Sequence, residues 1–123
     1  MKSVDILVAV RNEEKSIPEF IGRLNELAQE DIKINIIFLE DGSSDGTIDL
    51  LKDLSQKFNN VDFVSLENKY GQYAALSYGL TISDADAIIT MDVDGGHPIE
   101  TAMEMIVSYL NGYNLVQGHR ITY

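Results

Sequence analysis

The sequence predicts an α/β fold with three layers, in which a mostly parallel sheet lies between helices on both faces. Short apolar runs alternate with amphipathic helical patterns along the 123 residues, and loops rich in acids and glycines follow the apolar runs. Strands that alternate with helices are joined by right-handed crossovers, which place helices on both faces of a parallel sheet. The length suits one domain, so we expect a single unit over residues 1–123.

Five strands and four helices are expected in alternation. Apolar runs rich in β-branched residues predict strands over residues 4–10, 34–39, 61–66 and 87–91, and a fifth strand that begins at 114–117. Ser16 should cap the first helix, which has Pro18 in its first turn. The second helix should follow the turn at Glu40–Thr47, and the third should run from Gly71 to about residue 82. The fourth is expected over 99–110 and should end at Gly112.

The composition excludes several classes of protein. The net charge of −11 disfavours binding to nucleic acid or anionic lipid, and the absence of cysteine excludes disulfides and thiolate metal sites. The apolar residues make up 45% of the chain but form no run near the ~20 residues of a membrane span. Asp5 interrupts the first apolar run, so no signal peptide is expected and a cytoplasmic location is predicted.

The loops that carry unusual residues all follow predicted strands. They cover residues 11–14, 40–47, 68–72 and 92–98. In open parallel sheets, ligands bind outside the carboxyl ends of the strands. We therefore expect these four loops to form one site.

The triplet Asp92-Val93-Asp94 indicates a metal site at the end of the fourth strand. Two close carboxylates raise each other's proton affinity unless a cation neutralises them, and a hard divalent ion would do so while it bridges diphosphate oxygens. The alternative is a loop that leads into a helix, with an aspartate as the cap and Pro98 in the first turn. Both interpretations stay open on the triplet alone.

Two further segments have both a binding and a structural interpretation. In Glu40–Thr47, an acid at the strand end suits a ribose or a base N–H, whereas Gly42, Gly46 and a capping Ser44 or Asp45 also fit a plain turn. In 68–76, Lys69 beside Gly71 at a helix start suits an anion. A glycine turn with a solvated lysine explains that segment equally well.

The loops after the strands do not match two common nucleotide- or phosphate-related folds. No glycine occurs between Met1 and Phe20, although a dinucleotide-binding fold would need a glycine-rich turn there. A response-regulator receiver would need an acid pair after the first strand, a lone aspartate after the third and a lysine after the fifth. The third strand is followed by Glu67-Asn68-Lys69 and the fifth by Gly118-His119-Arg120, so the receiver pattern fails.

Taken together, five segments resemble the family 2 glycosyltransferases, most of all the polyprenyl-phosphate hexose transferases. The matching segments are Ala9–Glu14, Glu40–Thr47, Asn68–Leu76, Met91–Glu100 and Gly112–Arg120. The resemblance extends over the whole chain. It implies the Rossmann-like GT-A fold, a nucleotide-diphosphate sugar (UDP- or GDP-linked) as donor, Mg²⁺ or Mn²⁺ as cofactor, and a lipid-phosphate or glycan acceptor.

The same resemblance implies roles for individual residues. Donor binding falls to Ala9, Arg11, Glu13, Asp41, Lys69, Gly71, Asp92 and Val93. The catalytic positions are Asp92, Asp94 and Arg120, with Asp92 and Asp94 at the metal and Arg120 toward a phosphate of the acceptor or donor.

A non-catalytic module of the same fold, working in nucleotide binding or self-association, is the alternative function. Family members continue for about another domain beyond the point that corresponds to Tyr123. A sheet that stops there would expose an apolar edge or face, which predicts a homo-oligomer. Peripheral association with the inner face of the membrane, through segments beyond this chain, is a further expectation.

Overall fold

The fold consists of a parallel sheet and its connecting helices, seen in a computed structural model that describes residues 2–26, 31–66, 71–93 and 99–110. The elements in chain order are β1 (Lys2–Val10), α1 (Ile17–Glu26), β2 (Ile32–Glu40), α2 (Thr47–Lys57), β3 (Val61–Ser65), α3 (Gln72–Ile82), β4 (Ala87–Met91) and α4 (Ile99–Leu110). The first four predicted strands and all four predicted helices are therefore present. β1 and β2 begin two residues earlier than predicted. The predicted fifth strand and Gly112 lie outside the described residues.

The sheet has the strand order β3-β2-β1-β4, and all its strand pairs are parallel. Ile6 of β1 is aligned with Ile36 of β2 on one side and with Ile89 of β4 on the other. The chain thus moves outward from β1 through β2 to β3 and then returns to the other side of β1. This reversal creates a switch point at the carboxyl ends of β1 and β4, where open parallel sheets bind ligands.

The larger core covers one face of the sheet. Alternate residues of β1, from Val4 to Val10, pack with buried side chains of β2, α1, α2 and α4. Phe20 of α1 meets Phe38 of β2 edge to face, with ring centroids 6.2 Å apart. The period-two pattern of the strands and the apolar stripe of each helix produce this layer directly.

The opposite face of the sheet is covered by α3, so the predicted arrangement of helices on both faces is confirmed. Leu7 of β1, Leu39 of β2 and Ala75 of α3 are all fully buried there. Gly79 lets α3 approach closely, because a Cβ built on it would lie 2.7 Å from Cδ1 of Leu39. Within the described ranges, no helix has the length and apolar character that a membrane span requires.

Candidate functional site

A cleft at the carboxyl edge of the sheet brings three strand ends and one helix start together. The cleft has a volume of about 300 Å³, which is at the lower limit of small-molecule sites. It is lined by Ala9, Val10, Arg11, Glu13, Asp41, Gly71, Gln72, Asp92 and Val93. We call it the carboxyl-edge cleft.

The loop after β1 is held against the loop after β2 by Asn12. Asn12 has a φ of 55°, in the left-handed region that asparagine tolerates better than most residues. Its side-chain Oδ1 accepts the backbone N–H of Ser44 at 2.7 Å and that of Asp45 at 3.3 Å. Its own N–H donates to Oγ of Ser43 at 2.9 Å. The two loops therefore form one rigid wall of the cleft.

Glu13 is fixed next to Asn12 by contacts of its backbone. Its N–H donates to Oγ1 of Thr47 at 3.1 Å, and its carbonyl oxygen accepts the N–H groups of Ser16 and Ile17 at the start of α1. Thr47 is fully buried and Glu13 half-buried, so this contact is partly shielded from water. Glu13 consequently stands at the cleft on a backbone anchored to both α1 and α2.

The two consecutive acids at the end of β2 have different environments. Glu40 is fully buried, and its carboxylate accepts the Ser43 N–H on one oxygen and the Ser65 hydroxyl, at 2.7 Å, on the other. Asp41 is 5% exposed and lines the cleft, and its Oδ2 accepts the N–H of Gly71 at 2.6 Å. Glu40 therefore supports the turn from the interior, while Asp41 is placed at the ligand side.

The turn itself depends on a glycine and on the Asp45 carboxylate. Gly42 has a φ of 77°, which a residue with a side chain rarely adopts. The Asp45 carboxylate accepts the N–H of Thr47 at 3.0 Å and its hydroxyl at 2.5 Å. The Thr47 hydroxyl is the main cause that lowers the pKa of Asp45 below its ordinary value. The N-cap of α2 is Gly46, so the predicted cap at Ser44 or Asp45 is wrong, and Asp45 instead holds Thr47, the first residue of the helix.

Asp92 stands across the cleft from Asp41, directly after β4. It is half-buried, and its Oδ1 accepts Nε2 of Gln72 at 2.9 Å. Its neighbour Val93 is buried in the larger core. This anchors the start of the Asp-Val-Asp triplet, whose third residue, Asp94, lies outside the described residues.

Seven of the predicted donor-site residues meet in the carboxyl-edge cleft: Ala9, Arg11, Glu13, Asp41, Gly71, Asp92 and Val93. Their individual roles remain predictions. Lys69, Asp94 and Arg120 lie outside the described residues, as does His97. Sequence reasoning gave no site role to Val10, Asn12 or Gln72. The one feature of the sequence that could have indicated a site role for Gln72 is its position directly after the glycine that opens a helix.

The cleft suits a hard divalent ion that takes some of its ligands from the protein and the others from a bound substrate. Asp92 supplies carboxylate oxygens, the ligand type that Mg²⁺ and Mn²⁺ prefer. Within the described ranges no three acidic or histidine side chains are grouped closely enough to hold a metal alone. Mg²⁺ is commonly bound by one or two carboxylates together with substrate phosphates, and this donor set fits that mode.

The architecture and the cleft define an α/β protein with a cleft at the switch point of a parallel sheet. Residues 5–123 match the family described as glycosyl transferase family 2, and the chain belongs to that family. It is 30% identical over 122 residues to the undecaprenyl-phosphate 4-deoxy-4-formamido-L-arabinose transferase of Proteus mirabilis, covering 98% of this chain and 37% of that protein. The same enzyme of Aeromonas hydrophila is 31% identical over 121 residues, which are 94% of this chain and 36% of that one. The chain thus spans little more than a third of these relatives.

Solved structures share the fold at lower identity. A mannosyltransferase from Pyrobaculum calidifontis, in complex with GDP-Man and Mn²⁺, superposes with a TM-score of 0.71 at 20% identity, over 84% of this chain and 31% of that one. Glucosyl-3-phosphoglycerate synthase from Mycobacterium tuberculosis, in complex with UDP, gives 0.69 at 21% identity, over 92% and 41%. The predicted Rossmann-like GT-A fold is confirmed by these neighbours together with the parallel sheet.

Proposed function

We propose that the chain binds a nucleotide-diphosphate sugar together with Mg²⁺ or Mn²⁺ in the carboxyl-edge cleft, as the donor-binding part of a hexosyltransferase. One observation carries the proposal: Glu13, Asp41 and Asp92, which follow three different strands, line a single cleft at the switch point. The family and the solved structures of the same fold support this assignment, since two of those structures contain GDP-Man and Mn²⁺ or UDP.

The charge of the cleft explains why a divalent ion belongs to the proposal. Its lining includes three carboxylates and one guanidinium, that of Arg11. A bare diphosphate would be repelled by this excess of negative charge, whereas ribose hydroxyls and base N–H groups find acceptors in it. A dication held by acids of the cleft would offset this repulsion.

The proposed roles of the individual residues are those that the family resemblance implies. Glu13 and Asp41 lie on one wall and bind the nucleoside, with Asp41 toward the base. Asp92 faces the ribose or the sugar side of the donor, and with Asp94 it would hold the ion. The resemblance would assign Lys69 and Gly71 to the diphosphate, and Arg120 to the phosphate of the acceptor or the donor.

The proposed acceptor is a polyprenyl phosphate, because the curated relatives are named as undecaprenyl-phosphate sugar transferases. An oxygen of the acceptor phosphate attacks the anomeric carbon, the bond to the diphosphate oxygen breaks, and the nucleoside diphosphate leaves. Since the acceptor is already an anion, little or no general base is needed. The bound ion would offset the negative charge that develops on the leaving diphosphate. Such a lipid acceptor would place the reaction at a membrane surface, on the cytoplasmic side.

A thermal-shift titration with UDP, GDP and their sugars, with and without Mn²⁺, tests the donor site. A ligand at a hundred times its Kd stabilises by about 2.7 kcal/mol, which corresponds to roughly 10 °C in a domain of this size. Asp92→Ala should remove the metal-dependent part of the shift. Asp41→Asn, which can still accept the Gly71 N–H, should weaken nucleotide binding even without metal.

Asp84→Ala is the matched control for these variants. Asp84 is exposed and precedes β4, at the opposite edge of the sheet from the cleft, so its loss changes the charge equally without touching the site. If Asp84→Ala reduces the ligand-induced thermal shift as much as Asp92→Ala does, the assignment of the donor site to the cleft is contradicted.

Sugar transfer distinguishes the enzyme from the alternative of a non-catalytic binding module. Radiolabelled donor and undecaprenyl phosphate are incubated with the protein and Mn²⁺, and the lipid extract is analysed for labelled glycolipid. Labelled product that disappears in Asp92→Ala supports the transferase. Nucleotide binding without transfer or donor hydrolysis would favour the module for this chain.

A further inference from the structure

The start of α3 contacts carboxylates on both sides of the cleft. Gly71 donates its N–H to Oδ2 of Asp41 at 2.6 Å, and the next residue, Gln72, donates from Nε2 to Oδ1 of Asp92 at 2.9 Å. Both donors line the carboxyl-edge cleft. Two consecutive residues thus hold one acid that follows β2 and another that follows β4.

These two acids are not on neighbouring strands, because β1 lies between β2 and β4. Two strand spacings separate the strand ends by roughly 10 Å. The start of α3 therefore spans the end of β1. The rest of α3 is fixed on the sheet. Ala75 is fully buried against Leu7 of β1 and Leu39 of β2, and Gly79 lies against the same two leucines.

The chemistry of the two contacts is suited to orienting the acids without neutralising them. A backbone N–H and a side-chain amide are neutral donors, so each fixes one carboxylate oxygen without adding a positive charge. A lysine or arginine at the same place would offset that charge and compete with a divalent ion. Gly71 donates its N–H from a backbone with a φ of 93°, a conformation that glycine adopts readily. Gln72 reaches Asp92 through its side chain.

We propose that Gln72 is a positioning residue that orients the Asp92 carboxylate for the divalent ion and the diphosphate. This inference rests on the proposed function and adds a residue to which neither the sequence motifs nor the family resemblance assigns a role. Gln72 acts through Asp92, so its influence is confined to the metal-dependent part of nucleotide binding. The nucleoside contacts of Asp41, on the other wall, do not depend on it.

The test compares nucleotide affinity with and without Mn²⁺ by calorimetry in the 123-residue chain. Gln72→Ala should weaken metal-dependent binding about two- to tenfold, the equivalent of one net hydrogen bond, and leave metal-free binding unchanged. Gln72→Lys should weaken metal-dependent nucleotide binding further, because the ammonium group introduced at this position would pair with Asp92 and compete with the ion. Tyr73→Ala and Tyr73→Lys are the matched controls, since Tyr73 is the next residue of α3, is 86% exposed and does not line the cleft.

A second measurement examines the contact itself in the absence of ligand. The unfolding temperatures of wild type, Gln72→Ala, Asp92→Ala and the double variant form a cycle. Gln72→Ala should lower Tm by about 2–6 °C in the wild-type background and by less when Asp92 is already alanine.

The outcomes separate this inference from the function on which it rests. A wild-type chain that binds no nucleotide contradicts the proposed function. A wild-type chain that binds with metal, together with a Gln72→Ala variant that binds equally well, overturns the role of Gln72 alone. Equal weakening with and without Mn²⁺ would also overturn it, because a general disturbance of α3 would have that effect.

Discussion

Replacement of Gly79 by alanine should destabilise the protein, whereas the same change at Gly22 should stabilise it. Both glycines lie within helices, Gly79 in α3 and Gly22 in α1. A Cβ at Gly79 would lie 2.7 Å from Cδ1 of Leu39 and 3.0 Å from Cδ1 of Leu7, while a Cβ at Gly22 would meet no atom within 4 Å. The two substitutions are chemically identical and differ in the space around them.

The magnitudes follow from two opposing effects. Alanine is favoured over glycine inside a helix by about 0.5–1 kcal/mol, and at Gly22 this gain is not opposed. At Gly79 the methyl group must displace two leucine side chains that are both fully buried, so neither can move into solvent. Overpacking of this kind costs about 1–3 kcal/mol. The net effect at Gly79 is a loss of roughly 0.5–2 kcal/mol.

Thermal unfolding followed by circular dichroism measures both effects. One kcal/mol corresponds to about 4 °C in a chain of this length, so Gly22→Ala should raise Tm by about 2–4 °C and Gly79→Ala should lower it by about 2–8 °C. Because α3 also carries Gly71 and Gln72 at its start, Gly79→Ala should weaken nucleotide binding as well. A Gly79→Ala variant that melts as high as Gly22→Ala would refute the close packing of α3 on the sheet.

Two further predictions concern the turn after β2. Ser65→Ala removes one of the hydrogen bonds to the fully buried Glu40 carboxylate and should cost about 1–3 kcal/mol in denaturant unfolding, whereas Ser55→Ala, at a surface hydroxyl of α2, should cost much less. Asp45→Ala should lower Tm at neutral pH, because the carboxylate accepts both Thr47 groups. The pKa of Asp45 is depressed in the folded state, so this contribution is present above the ordinary value of 3.8 and is lost as the pH falls below it. The difference in Tm between wild type and Asp45→Ala should therefore shrink in acid, and a difference that grows there would contradict the contact.

The elements of the fold were predictable because their signals are local. β-Branched runs such as Ile34–Leu39 and helical stripes such as Ile17, Phe20 and Leu24 need no knowledge of the rest of the chain. The gathering of the loops at one edge followed from the alternation of strands and helices, since parallel strands end on the same side. The strand order required the structure, because the sequence does not show that the chain returns to pair β4 with β1.

The finer geometry of the site depends on tertiary contacts that leave little trace in sequence. Glu40 and Asp41 are adjacent acids, yet one is held in the interior by Ser65 and the other lines the cleft. The alternation of side chains along a strand predicts that they diverge, but not which of them faces the ligand. Gln72 is an exposed polar residue at a helix start, and its contact with Asp92 appears only once α3 has been placed over β1.

The central claim, that the carboxyl-edge cleft is the donor site, is tested most directly by mapping amide chemical shifts in ¹⁵N-labelled protein. UDP or GDP is added with Mg²⁺, which avoids paramagnetic broadening. The account predicts shifts concentrated at Glu13, Asp41, Gly71 and Asp92, with Ser83 and Asp86 at the opposite edge of the sheet unchanged. Saturable shifts at that opposite edge, with the cleft unchanged, would contradict it.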